Sequence, residues 1–289
     1  MTESGDSTRF NTERMPNWCP GCGNFGLLNA LKKALLELNL QPHQVCMTSG
    51  IGCSGKIPHW INVYGLHGLH GRALPLAAGI KLANHDLVVI AEGGDGDGYS
   101  EGMCHFIHAC RRNVDFTYIV HNNGVFALTT GQASATGNQG RKTISTPDGA
   151  IEPPFQPAAL AIAAGATFVA RGYSGDTEQL KNIYVAAIRH RGFAFLDVLQ
   201  VCVSYNPEKD YAWYKERVYR LEDEGYDPTD RDKALALALN PDNGRLATGI
   251  LYRAERPAYE DDLPQIADAP LVAQDISNVD VDALMETLT

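Results

Sequence analysis

Two short stretches carry residues whose types and spacing can do chemistry. In Trp18-Cys19-Pro20-Gly21-Cys22-Gly23 two thiols flank a Pro-Gly pair. Such a pair serves as zinc ligands, as a redox dithiol or as half of an iron–sulfur site. A redox dithiol normally opens a helix just after a strand, and nothing strand-like precedes Trp18. A zinc ribbon needs a second C-x-x-C, and the remaining cysteines are single: Cys46, Cys53, Cys104, Cys110 and Cys202. The second stretch is Gly-Gly-Asp-Gly-Asp-Gly, residues 93–98. Glycines such as Gly94 and Gly96 let backbone approach a phosphate, and a following helix adds partial positive charge. Asp95 and Asp97 would repel that phosphate unless a hard divalent cation such as magnesium joined carboxylate to diphosphate.

These residues must be positioned, and the chain around them alternates strands with helices. FGLLNALKKALLELNL has helical spacing, QVCMTSG reads as a buried strand, and RALPLAAGIKLANH as a small-residue helix. DLVVIAEGG and FTYIVHNN are strands, with a helix expected over Tyr99–Asn113 between them. QPAALAIAAGA, TFVAR, DTEQLKNIYVAAIRHRG and FAFLDVLQV continue the rhythm. The fold class is therefore α/β, a mostly parallel twisted sheet with helices on both faces. Ligands of such sheets gather at the carboxyl ends of strands. Three of those ends carry glycine-rich chemistry: TSGIGCSG, AEGGDGDG and HNNG. Residues 128–152 form a polar stretch long enough to suggest a binding or lid segment. Cys46, within a strand, and Cys104 and Cys110, among apolar residues of a helix, read as core thiols.

Neighbouring parallel strands put their ends side by side, so Asp95 and an asparagine of the Asn122-Asn123 pair can share one ion. The run from Gly-Asp-Gly to Asn-Asn resembles the thiamine-diphosphate signature. That resemblance implies magnesium held by the side chains of Asp95 and Asn123 and the carbonyl of Val125. It places Asp97 near the diphosphate without a fixed role.

WCPGCGNFG, GIGCSGK, HGLHGR, GGDGDG, HNNGVFALTTGQ and the late VC before SYNP occur in this order across residues 15–210. Together they resemble the β subunit of 2-oxoacid:ferredoxin oxidoreductases. The resemblance implies one 4Fe–4S cluster on Cys19, Cys22, Cys53 and Cys202. It implies a thiamine-diphosphate pocket lined by Ile51, Gly52, Cys53, Ser54, His70, Gly94, Asp95, Gly96, Asp97, Asn123, Val125, Leu128 and Thr129. Lys56 suits a substrate carboxylate and His70 reaches the cofactor, although a solvated lysine and a surface or core histidine are the ordinary alternatives. The implied reaction is reversible, coenzyme A-dependent oxidative decarboxylation of a 2-oxoacid, with electrons passed singly to ferredoxin. 2-Oxoglutarate is the first choice of substrate and pyruvate the second. No glutamate stands in a cofactor-facing motif. Glu92 and Glu101 flank the diphosphate loop, so an obligate α subunit is expected to supply the activating glutamate and much of the substrate pocket. A thiamine enzyme without a cluster leaves the cysteines unexplained, and a zinc-binding scaffold leaves Asp95 and Asn123 unexplained.

The 289 residues divide on this reading into a cofactor domain, 1–205, and a C-terminal extension, 206–289, lying on the domain or on a partner subunit. That extension shows one clear strand-like run, ATGILYR. A formal charge of −10 argues against nucleic acid as a partner. The start is polar, without the apolar core of a signal peptide, and no apolar run approaches the ~20 residues that span a bilayer. A cytoplasmic protein without a membrane partner is expected, with its seven cysteines reduced.

Overall fold

A computed structural model describes residues 7–239, 244–277 and 279–288. The first six residues of the polar start lie outside them. Helix α1 (Asn24–Glu37) leads to β1 (Val45–Ser49) and β2 (Tyr64–His67), then α2 (Ala73–Ala83) and β3 (Val88–Gly94). Helix α3 (Met103–Arg112), β4 (Thr117–Asn122) and the small ribbon β5 (Val125–Phe126) and β6 (Gln132–Ala133) follow. Next come α4 (Pro157–Ala163), β7 (Phe168–Tyr173), α5 (Thr177–Arg189) and β8 (Ala194–Leu199). The chain ends with α6 (Tyr211–Lys215), β9 (Val218–Arg220), α7 (Arg231–Leu239), β10 (Leu246–Arg253) and α8 (Val281–Glu286).

Eight strands form one sheet in the order β2-β1-β3-β4-β8-β7-β10-β9. Every pairing is parallel except β10 with β7. Alternation sorts side chains to the two faces. Val89, Ala91, Tyr118 and Val120 pack with α2, α3, α4 and α7, whereas Ile90 and Ile119 pack with α1 and α5. On α1, Leu27, Leu31 and Leu35 recur every fourth residue and are fully buried. Truncating one such leucine to alanine costs about 2–5 kcal/mol.

Three expectations change. The expected helix from Tyr99 is split: a π-helical segment, Gly96–Glu101, precedes α3, and such segments recur at functional sites. Cys104 is exposed, not a core thiol. Phe106, Ala109 and Cys110 define the buried face of α3, and Cys104 is offset from Phe106 by about 200° around the axis. The segment after residue 205 contributes two strands, and β9 and β10 extend the main sheet. Among the described residues no helix is long and apolar enough to cross a membrane.

Candidate active site

The chain runs from β1 outward to β2 and returns on the other side of β1 as β3, so β1 and β3 flank a switch point in the sheet. Register then brings the chemistry together. Ser49 lies opposite Glu92, Gly94 opposite His121, and Asn122 opposite Leu199. The loops after β1, β3, β4 and β8 consequently leave the sheet side by side.

One cavity opens at this edge. The loop after β1 contributes Ile51, Gly52, Cys53 and Ser54, and the loop after β2 contributes His70. Gly94, Asp95, Gly96 and Asp97 come from the end of β3, and Asn123, Val125, Leu128 and Thr129 from the segment after β4. The structure thus gathers all thirteen residues expected to surround a cofactor at a single cavity. His121, Phe126 and Ala127 also line it and were missed by the sequence reading. His121 carries no motif signal beyond its place before Asn122-Asn123.

Asp95 is buried, and its Oδ1 accepts from the Asn123 backbone N–H at 3.3 Å. Its Oδ2 accepts from the Ser134 hydroxyl and, at 2.8 Å, from that of Thr136. The polar stretch after Leu128 therefore folds back over the carboxylate. Burial pushes the Asp95 carboxyl above the usual range, opposed by these donors, and a bound cation would favour its ionised form. Asn123 donates from Nδ2 to Gln200 Oε1 at 2.7 Å and accepts at Oδ1 from the Val125 N–H at 3.1 Å. A carboxylate and an amide oxygen beside the Val125 peptide are the hard donors that magnesium prefers.

Asp97 plays a different part. Its Oδ1 accepts from the N–H groups of Ile51 at 2.9 Å and Gly71 at 2.8 Å, and lies 2.8 Å from His70 Nδ1. One carboxylate therefore ties together the loops after β1, β2 and β3. A Cβ on Gly50 would come within 1.9 Å of Asp97 Oδ2, so only glycine allows this approach. Asp97 Oδ2 and Ser54 Oγ are buried without a hydrogen-bond partner among the described residues. Buried polar atoms left open at a cavity wall suit a polar ligand. Glu92 is engaged elsewhere: its Oε2 lies 2.7 Å from His121 Nε2, and both are buried. His121 Nδ1 lies 2.8 Å from Asn24 Oδ1.

A second cavity adjoins the first and shares Cys53, Asn123, Ala127 and Leu128 with it. Cys19, Cys22, Cys53 and Cys202 all line it, together with Lys56. Trp18 fixes the amino-terminal arm by donating from Nε1 to the Cys53 carbonyl at 2.8 Å. The Gly23 N–H donates to the Val201 carbonyl at 3.0 Å. A Cβ at Gly23 would meet Ser174 Oγ at 2.7 Å and Val201 N at 2.9 Å, so this glycine lets Cys22 reach the strand end bearing Cys202. Burial, reinforced by the other three thiols, pushes Cys22 up to about 12. Burial raises Cys53 as well, with the Lys56 ammonium opposing. Donors are nonetheless aimed at the sulfurs. Gln200 Nε2 lies 3.4 Å from Cys22 Sγ and Ser204 Oγ 3.2 Å from Cys19 Sγ. Neither donor was anticipated; both neighbour Cys202 in sequence, the one signal that marks them. None of the seven cysteines is joined in a disulfide. Among the described residues no three His, Cys, Asp or Glu side chains are drawn together tightly enough to hold a single metal ion. Lys56 belongs to this second cavity, not the first, with Nζ 3.5 Å from Asn17 Oδ1.

Residues 44–198, more than half of the chain, match the family model of the thiamine pyrophosphate enzyme C-terminal TPP binding domain. Residues 202–268 match the model of the C-terminal part of the beta subunit of pyruvate ferredoxin oxidoreductase. The β subunit of 2-oxoacid:ferredoxin oxidoreductase 1 from Aeropyrum pernix is 47% identical over 286 residues, 94% of this chain and 90% of that protein. The KorB subunit of 2-oxoglutarate synthase from Methanocaldococcus jannaschii is 36% identical over 265 residues, 89% of this chain and 94% of that one. In solved form, 2-oxoglutarate:ferredoxin oxidoreductase from Magnetococcus marinus, with 2-oxoglutarate, coenzyme A and succinyl-CoA bound, superposes with a TM-score of 0.91. It shares 33% identity, covering 99% of this chain and 97% of that one.

Proposed function

The chain belongs to the β subunits of the 2-oxoacid:ferredoxin oxidoreductases, and from that premise we propose that it joins an α subunit in a coenzyme A-dependent enzyme converting 2-oxoglutarate to succinyl-CoA and carbon dioxide, reversibly, with ferredoxin as electron partner. The observation that carries this reading is the shared wall of the two cavities. Asp95 stands in the first cavity and Cys19, Cys22 and Cys202 in the second, with Asn123 and Cys53 lining both.

Thiamine diphosphate supplies an electron sink for decarboxylation of a 2-oxoacid, and a 4Fe–4S cluster accepts electrons one at a time. The residues present suit both groups. Asp95, Asn123 and the Val125 carbonyl offer oxygens to magnesium at the diphosphate end, while Ser54 and Asp97 keep open polar atoms at the same wall. Cys19, Cys22, Cys53 and Cys202 would ligate the cluster. A lone tetrahedral zinc needs its sulfurs within about 2.3 Å of one point, whereas these cysteines ring a cavity and suit a larger cluster. Lys56 places an ammonium where a substrate carboxylate can meet it beside Cys53. His70, braced at Nδ1 by Asp97 and with its ring 6.0 Å from that of Phe126, leaves Nε2 for a ligand in the cofactor cavity. The activating glutamate comes from the α subunit, since Glu92 is committed to His121. Cys46, Cys104 and Cys110, outside the cluster set and unpaired by disulfides, suit the reducing cytoplasm.

2-Oxoglutarate is favoured by the names of the Methanocaldococcus relative and the Magnetococcus structure. Pyruvate is the second substrate, favoured by the family model matched at residues 202–268. Anaerobic co-purification with the α subunit tests the reading. Iron and sulfide in a brown complex, and viologen reduction dependent on 2-oxoglutarate and coenzyme A, are expected. A colourless zinc-loaded complex overturns the cluster, and faster reduction with pyruvate reverses the substrate order.

A further inference from the structure

Gln200 follows β8, is 2% exposed, and touches both cavities' chemistry through one amide. Its Nε2 lies 2.7 Å from the Val201 carbonyl oxygen. A carbonyl oxygen only accepts, so that end of the amide must be the NH2 group. Its Oε1 therefore faces Asn123, 2.7 Å away, and Asn123 must present its own NH2 there. Asn123 Oδ1 is then turned away from Gln200, towards the Val125 N–H at 3.1 Å, and keeps a lone pair for a cation. The same Gln200 Nε2 sends its second hydrogen towards Cys22 Sγ, 3.4 Å away.

We propose that Gln200 is a positioning residue that links the two cofactor sites, setting the orientation of the Asn123 amide for magnesium while donating to the sulfur of cluster ligand Cys22. The inference rests on the reading of Asn123 and Cys22 given above. The Val201 carbonyl starts a chain of forced hydrogen-bond directions, and its two branches end at the two groups. A donor to a cluster sulfur favours the more negative, reduced cluster and raises its potential. A polar group that fixes a ligand's orientation changes metal affinity by 10–100-fold.

Two variants of the anaerobic complex with the α subunit separate these branches. Gln200→Leu removes both. Its cluster potential, followed by electron paramagnetic resonance, is expected to fall, with about a tenfold change in the reduction equilibrium, or 59 mV. The magnesium concentration for half-maximal thiamine diphosphate binding is expected to rise about tenfold. Gln200→Glu keeps an oxygen for Asn123 but loses the donor to Cys22, because the single proton a glutamic acid carries is claimed by the Val201 carbonyl. Its potential should fall while its magnesium requirement stays within twofold of the parent's. Unchanged potential in both variants, or an unchanged magnesium requirement in Gln200→Leu, overturns the link. Should Gln200→Leu fail to assemble, Gln200→Glu decides: a magnesium requirement moving with the potential marks general loosening and also overturns it. A parent complex without iron, or without magnesium dependence, defeats the underlying reading instead.

Discussion

At the amino ends of β7 and β8, Asn113 donates from Nδ2 to the carbonyls of Arg256 at 3.3 Å and Pro257 at 3.0 Å. Its Oδ1 accepts from Thr167 Oγ1 at 2.7 Å and from the Phe193 N–H at 3.0 Å. His190 Nε2 completes the group, 2.7 Å from the Thr167 hydroxyl. At the opposite edge an equally buried set, Asp95, Asp97, Asn123 and Gln200, is tied by similar bonds, yet Asp97 Oδ2 and Ser54 Oγ stay open. One network closes on itself and spends its polarity on joining chain segments far apart in sequence. The other presents acceptors and a hydroxyl to a cavity, at the expense of stability. Comparison of the two separates groups that hold the fold from groups held for a ligand.

Substitutions at the open edge should strike cofactors while sparing the fold. Asp95→Asn keeps the shape and an oxygen for Ser134 and Thr136 but removes the charge and turns an amide NH2 towards the Asn123 N–H. Thiamine diphosphate affinity at fixed magnesium should fall by about 100-fold or more, with the thermal midpoint of the complex little changed, because relief of a buried charge offsets the hydrogen bond lost at the Asn123 N–H. Retained affinity in a calorimetric titration would move Asp95 into the structural class. Cys202→Ala should abolish the cluster, read as iron per complex, while circular dichroism keeps its parent shape. Full iron content would exclude Cys202 as a ligand.

The closed knot should behave in the converse manner. Asn113→Ala strands two carbonyls, a hydroxyl and an N–H, and puts alanine at a backbone φ of 61°. A loss of about 3 kcal/mol is expected, seen as a lower denaturation midpoint, with magnesium-dependent cofactor affinity unaltered once the complex is folded. A parallel fall in affinity at permissive temperature would mean that the two edges are coupled through the sheet.

Much of the open edge was legible because its residues sit in strand-end motifs, where glycine spacing and residue type declare themselves. The parallel sheet followed from the strand–helix rhythm, and neighbouring strand ends then required Asp95 and Asn123 to meet. Gln200, Ser204 and His121 were not legible, since each acts through a hydrogen bond whose partner is set by register, up to 185 positions away in the case of Ser204 and Cys19. The same holds for Asn113 and Thr167, ordinary turn and strand residues until Arg256 and Pro257 close over them. The joining of β9 and β10 to the sheet was hidden by weak patterning: β9 is only three residues long and β10 is irregular at Ile250–Tyr252.

The smallest expected effect concerns protons at the closed knot. Asn113 Nδ2 is fixed by two carbonyls, so its Oδ1 can only accept and Thr167 must donate to it. The Thr167 oxygen then accepts from His190 Nε2–H, and the neutral ring carries its proton there. Burial chiefly, aided by the Arg253 charge and opposed by Asp115 and Glu255, pushes His190 down to about 4 from 6.5. The folded chain thus binds this proton less readily than the unfolded one. The stabilising contribution is complete above pH 6.5 and is lost as pH falls from 6.5 towards about 4. His190→Gln keeps a donor for Thr167 but cannot titrate. Between pH 6.5 and 4 the parent should lose denaturation midpoint more steeply than the variant, and above that window the two curves should run parallel. Parallel curves throughout would show that the knot admits water enough to protonate His190 normally, and the contrast between a closed edge and an open one would narrow accordingly.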